Sequence, residues 1–211
     1  MGLREDKKEE LRRQIRTTAV GLFGEHGISA IRVADIAALL RISEATFFNY
    51  FPSKRAICEE AVADVITGTI ARSLEVADAV PVRDHLEQLA SDLVENLTAG
   101  RPLNALLRRQ PELISAGLER TDWSDGPLVR RIIQAQQDGE LRQDVGAEVI
   151  AETYMIIVLM TTSRFLSVAG TGAEVRAAVA QALRIWHDGT VAGIGATRRG
   201  RSRPRVAAGG A

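Results

Sequence analysis

The chain has 211 residues, 45% of them hydrophobic and 4% aromatic, which is long enough to bury a sizeable core. Cys58 is the single cysteine, so an intramolecular disulfide is excluded. The 27 basic and 27 acidic side chains cancel overall, yet residues 1–54 carry 9 against 7, residues 55–196 carry 13 against 20, and residues 197–211 carry 5 arginines and no acid, so a basic head and tail flank an acidic body.

From about Lys7 to His26, Leu11, Ile15, Ala19, Leu22 and Phe23 keep a helical period, and Gly27 is placed to end the helix. Residues before Lys7 are expected to fray. Val33, Ile36, Ala37 and Leu40 then mark one packing face of a second, short helix. The polar break Arg41-Ile42-Ser43 follows. Ser43 is a good N-cap, because its hydroxyl accepts from an amide one turn further on, and Glu44 sits where the helix dipole favours a carboxylate. A third helix therefore begins at Glu44 and runs through Tyr50; Pro52 stops it by pushing the preceding residue out of helical geometry. About two turns are marginal alone, so neighbours must hold them. Phe47, with Ile42, can anchor this helix, leaving Glu44, Ala45, Phe48 and Asn49 to point elsewhere. Helix, tight turn and short helix is the helix-turn-helix pattern, whose second helix enters the DNA major groove N-terminus first.

The run DIAALLRISEATFFNYFPSK, Asp35 to Lys54, extended upstream by AVGLFGEHG, Ala19 to Gly27, resembles the DNA-binding signature of the TetR family of bacterial transcriptional regulators. The resemblance implies an all-α fold, with an N-terminal three-helix DNA-binding unit over residues 1–52 and a larger helical effector-binding and dimerisation domain over 53–196. Ser43, Thr46, Tyr50 and Lys54 match the family's phosphate-contacting positions, and Arg32 is a further candidate. Base-edge chemistry adds Glu44, which can accept from cytosine N4, Ala45 and Phe48, which suit a thymine methyl, and Asn49, which can pair with adenine. Two positions depart from the pattern. Ile31 and Arg32 stand where the family often has a capping threonine, and Arg41 replaces the turn glycine, at roughly 1–2 kcal/mol if the position is left-handed.

Beyond the head, Ser53 can cap a helix with the stripe Ile57, Ala61, Val65, Ile66, Ile70 and Leu74, running to about Val76 and joining head to body as a lever. Pro81 and Pro102 bracket a helix over about 82–98, with Leu86, Leu89, Leu93 and Leu97 on one side. Short helices are expected at 103–109, 112–119 and 127–138, the last closed by Gly139. Residues 147–168 are the most apolar, with Ile150, Tyr154, Ile157, Val158, Thr161, Phe165 and Val168 as one stripe; residues 172–189 add Val175, Ala178, Val179, Ala182, Leu183, Ile185 and Trp186. Both are broader in apolar coverage than a helix on a monomer's surface requires. They predict a homodimer through these two helices, the plainer alternative being central helices of one body. Two recognition helices one DNA turn apart, roughly 34 Å, would read a palindromic operator.

His26, His85 and His187 show no metal-ligand spacing, and no CxxC, phosphate-binding glycine loop, GxSxG or HExxH occurs. No enzyme, metal or cofactor is expected; Trp123, Trp186, Tyr154, Met155 and Met160 can line a cavity or simply fill the core. The N-terminus lacks a signal peptide's apolar segment, and the longest nearly apolar run, Tyr154 to Met160, is short of the ~20 residues that span a bilayer. The expectation is a cytoplasmic protein without a membrane partner. The arginine-rich stretch 197–211 is expected to be disordered. The reading is a dimeric, ligand-responsive regulator, most often a repressor, that binds double-stranded DNA and a small-molecule effector. The alternative is a ligand-binding or interaction protein of the same fold that no longer reads DNA specifically.

Overall fold

A computed structural model describes residues 2–75, 80–121, 126–168 and 170–191. The tail over 197–211 and Trp123 lie outside the described residues. Ten helices and no strand occur among those described: α1 (Leu3–His26), α2 (Val33–Leu40), α3 (Glu44–Tyr50), α4 (Lys54–Leu74), α5 (Val82–Thr98), α6 (Arg101–Arg109), α7 (Leu113–Glu119), α8 (Pro127–Gln137), α9 (Ala147–Ser167) and α10 (Gly172–Val191).

The first helix begins at Leu3, a turn earlier than the hydrophobic period implies. Glu5 and Asp6 sit in its first turn, and the Glu5 carboxylate accepts from the Gly2 amide at 3.3 Å. Acidic residues there favour the helix through its dipole, a reason independent of the apolar stripe. At the other end Gly27 takes φ 87°, and its amide closes the last turn onto Phe23. Helix α4 ends at Leu74, just short of the expected Val76.

The head is packed by Ile15, Ala19 and Phe23 of α1, Ile36 of α2, Phe47 of α3, Phe51, and Ile57 and Cys58 of α4. This cluster runs on without a gap along α4 through Val62, Ile66 and Ile70 into the leucines of α5. Two glycines allow close approach, Gly24 between head and body and Gly117 between two helices of the body. A Cβ on Gly24 would lie 2.3 Å from the Pro102 carbonyl oxygen at the start of α6, and one on Gly117 of α7 would lie 2.5 Å from a Val62 methyl on α4.

Within the body, α9 packs against α5, α6, α7, α8 and α10. Its buried face is Ala147, Ile150, Ala151, Tyr154, Met155, Val158, Leu159, Thr162 and Leu166. That face is rotated from the expected stripe: Val168 is exposed, and Ile157, Thr161 and Phe165 are only partly buried. The reason is that α9 is apolar on most of its circumference, so periodicity cannot say which side meets the neighbours. By length and composition α9 is also apolar enough to cross a membrane, unlike the short run read from sequence; 44% of that apolar window is buried, against five neighbouring helices. Likewise Val175, Val179 and Leu183 of α10 are buried, whereas Ile185 is 72% exposed and Trp186 half-buried. The Tyr154 hydroxyl donates to the Leu86 carbonyl at 2.7 Å, and complete burial pushes its pKa well up.

The two neighbouring glycines of α1 separate packing from helix propensity. Gly24→Ala is expected to destabilise the fold by about 1–3 kcal/mol through overpacking against Pro102. Gly21→Ala, where nothing lies within 4 Å of the added methyl, is expected to raise Tm, because alanine is the better helix former. Thermal unfolding of the two variants, expected to shift in opposite directions, checks this.

Candidate nucleic-acid interface

The recognition geometry starts from the turn between α2 and α3. Arg41 adopts φ 54° and ψ 42°, the only non-glycine residue with positive φ among the described residues. Its amide donates to the Ala38 carbonyl and that of Ile42 to Ala37, at 3.2 and 3.0 Å. This is the Schellman arrangement that usually employs glycine at this position. The turn is therefore intact with arginine in it, at roughly 1–2 kcal/mol of left-handed strain. The missing cap threonine is also replaced. Arg32 offers no side-chain cap to α2, but the Asp35 carboxylate reaches back to accept from the Arg32 amide at 3.1 Å and from its guanidinium at 3.0 Å. The same hydrogen bonds hold the Asp35 carboxyl below its usual pKa and raise that of Arg32.

Ser43 caps α3: its hydroxyl accepts from the Thr46 amide at 3.0 Å and shares a hydrogen with the Thr46 hydroxyl at 2.8 Å. Phe47 is the anchor, wholly buried, with Phe48 edge-on to it at 5.4 Å. Consequently Ser43, Glu44, Ala45, Phe48 and Asn49 are exposed, with Thr46 and Tyr50 half-buried beside them. The Tyr50 hydroxyl and the Asn49 amide make no side-chain hydrogen bond among the described residues. A helix surface with three hydroxyls, an amide, a carboxylate and an apolar ring fits both backbone and base-edge contacts.

Lys54 is placed differently from a freely projecting cation. Its ammonium donates to the carbonyls of Ile28 and Ile31, both at 2.7 Å, tying the start of α4 to the α1–α2 connection. One of its three protons is left for another partner.

A set of residues that motif reasoning passed over supports the far end of α3. The Arg12 guanidinium on α1 donates to the Tyr50 carbonyl at 2.9 Å, lies 4.4 Å over the Phe51 ring, and pairs with Glu60 of α4. Arg16 bridges Glu60 at 2.9 Å and Asp64 at 2.6 Å. Burial alone would raise the pKa of Glu60, but Arg12 and Arg16 together outweigh it and hold the carboxyl below its usual range. Asp64 is shifted the other way by burial. The available signal was two arginines one turn apart on a helix that also carries other charged residues, too common a pattern to single out. Cys58 lies beneath this layer, its thiol pushed up to about 12 by burial.

Comparison with known proteins agrees with this geometry. Residues 15–61 match the family model described as bacterial regulatory proteins, tetR family. The chain is 29% identical over 141 residues to the HTH-type transcriptional repressor DhaR of Mycobacterium sp. (strain GP1), covering 62% of this chain and 70% of that protein. Among solved structures it resembles Thermus thermophilus FadR, a transcriptional repressor in complex with lauroyl-CoA, at TM-score 0.65 and 21% identity over 94% of this chain and 100% of that one. It also resembles Bacillus subtilis FadR in complex with stearoyl-CoA, at TM-score 0.58 and 17% identity over 81% and 96%.

Lys54→Met is expected to lower stability by about 2–3 kcal/mol, since two charge-assisted bonds go and the carbonyls stay. Glu60→Gln is expected to cost about 2–3 kcal/mol at pH 7, because two half-buried guanidiniums lose their shared charge. Its pH dependence has a definite sign. A carboxyl with a depressed folded pKa contributes fully above its unfolded value, about 4.3, and loses that contribution as pH falls through the folded value. Unfolding between about pH 7 and pH 3 should therefore show a shallower acid loss in Glu60→Gln than in the parent chain.

Proposed function

The chain belongs to the TetR family of bacterial transcriptional regulators, and from that premise we propose a homodimeric repressor that reads a palindromic operator and responds to a small molecule. The observation that carries this reading is α3: a short, Ser43-capped helix fixed through Phe47, with Glu44, Ala45, Phe48, Asn49 and the Tyr50 hydroxyl turned outward. Ser43, Thr46 and Tyr50 contact phosphates in this proposal, joined by Arg32 and by the remaining proton of Lys54. Glu44, Ala45, Phe48 and Asn49 face base edges. The reading without DNA recognition rested on a lost cap and a lost turn glycine, and it weakens because Asp35 and Arg41 rebuild both features.

What α9 and α10 leave uncovered supports dimerisation. Val149 and Ile156 of α9 are 54% and 43% exposed, Met160 lies on the same side, and Ile185 of α10 is exposed to 72%. A second copy would bury this surface. For the effector, a cavity of about 400 Å³ between α5 and α10 has a floor of Ala90, Val94, Val179 and Leu183 and two exposed arginines, Arg176 and Arg184, at its rim. Its size lies in the range of small-molecule sites, and its chemistry suits an apolar chain bearing an anionic group. Lauroyl-CoA, held by the Thermus relative, is the first probe. The protein would act in the cytoplasm, where its operator lies.

Fluorescence-anisotropy binding to DNA from upstream of the protein's own gene, against a scrambled duplex at near-physiological salt, tests the regulator reading. Preference for the upstream duplex, lost on adding lauroyl-CoA, is the expected result. Equal weak binding to both duplexes counts against specific recognition there. Tyr50→Phe should weaken binding to every duplex alike, whereas Asn49→Ala should relax preference at a single base pair by about 1–3 kcal/mol. A uniform loss for Asn49→Ala across single-base operator variants would reassign that residue. Sedimentation should find a dimer that Ile156→Asp converts to monomer.

A further inference from the structure

We propose that Arg41 is an additional DNA-backbone contact, a cation presented to a phosphate at the start of the recognition helix. The proposal rests on the DNA-binding reading and extends it to a residue outside the family's contact pattern.

The cations around the recognition helix are unequally engaged. Residues 27–54 contain three, Arg32, Arg41 and Lys54, against two carboxylates, Asp35 and Glu44. Arg32 is engaged by Asp35, and Lys54 gives two of its protons to main-chain carbonyls. Arg41 differs: it is exposed, and its guanidinium has no partner among the described residues. Without it the head segment would carry no net charge, since two cations would face two carboxylates. Of the three, Arg41 is the cation left free to meet the closely spaced phosphates of a duplex.

The backbone gives the second part. Arg41 occupies a left-handed conformation that glycine adopts without strain. Its guanidinium makes no hydrogen bond or ion pair among the described residues that would offset the strain, and a phosphate in a complex would supply one. It lies two residues before Ser43, the N-cap of the helix whose N-terminal end enters the major groove, where phosphates line the groove walls. Arginine suits that position because its planar fork pairs with phosphate oxygens while remaining fully charged.

The test measures binding by anisotropy for the parent chain, Arg41→Gly and Arg41→Gln, on the upstream and scrambled duplexes, from about 50 to about 200 mM salt. One lost phosphate contact should make the slope of log Kobs against log salt shallower by about 0.9 in both variants and on both duplexes. At about 0.1 M salt this corresponds to roughly eightfold weaker binding. Thermal unfolding should show Arg41→Gly at least as stable as the parent, so that affinity falls without loss of fold. An unchanged slope in Arg41→Gln overturns the contact, as does a loss confined to Arg41→Gly, which would trace to turn geometry instead of charge. If the parent chain binds neither duplex even at low salt, the regulator reading fails together with the contact. Normal parent binding with an unaltered Arg41→Gln removes the contact alone.

Discussion

A seven-residue helix cannot hold itself in water, and the reading head depends on that constraint. Helix α3 has one wholly buried side chain, Phe47, and every other fixed point comes from outside it. The left-handed turn sets its direction of departure, Ser43 closes its first turn, and Arg12 grips the carbonyl of Tyr50 from α1. Because the anchoring is supplied by α1, α2 and α4, the outward side chains are free of structural duty. Glu44, Ala45, Phe48 and Asn49 can vary in chemistry without endangering the helix that carries them.

The same dependence links the head to the body. Glu60 belongs to the long helix α4, whose other half is buried under α5 and α7, while its carboxylate holds Arg12 and Arg16 of α1. Gly24 against Pro102 and Gly117 against Val62 add two backbone-distance contacts between layers. Contacts this close have no slack, since interiors are packed like crystals and transmit displacement. A movement of α6 or α7 would therefore press directly on α1 and α4. In a dimer it would alter the separation of the two α3 helices.

Much of this was legible in the chain because short-range chemistry encodes it. Ser43 and Ser53 announce helix starts through their hydroxyls, and both cap as expected. Pro81, Pro102 and Gly139 punctuate the body close to where the helices break. What stayed hidden depends on neighbours far along the sequence. Which side of α9 is covered depends on five other helices, so an almost uniformly apolar segment could not reveal it. Lys54 looked like a free phosphate ligand until the carbonyls of Ile28 and Ile31 came within reach of its ammonium. Arg12 and Arg16 carried no signal in the sequence because their partners, Tyr50, Glu60 and Asp64, lie more than thirty residues away.

The buried thiol of Cys58 has a practical corollary. Its thiolate is suppressed by a pKa near 12, and its sulfur is enclosed in the head core, where it donates to the Lys54 carbonyl. Reagents that need an accessible thiolate find none there in the folded chain. The protein thus behaves as though it were cysteine-free toward maleimide dyes and spin labels. One cysteine introduced on the exposed surface of the head would be the only site modified, and in a dimer it would appear twice, related by symmetry. The folded chain is ready-made for a molecular ruler, on which the distance between the two reading heads of a dimer could be followed as DNA and a trial ligand are added.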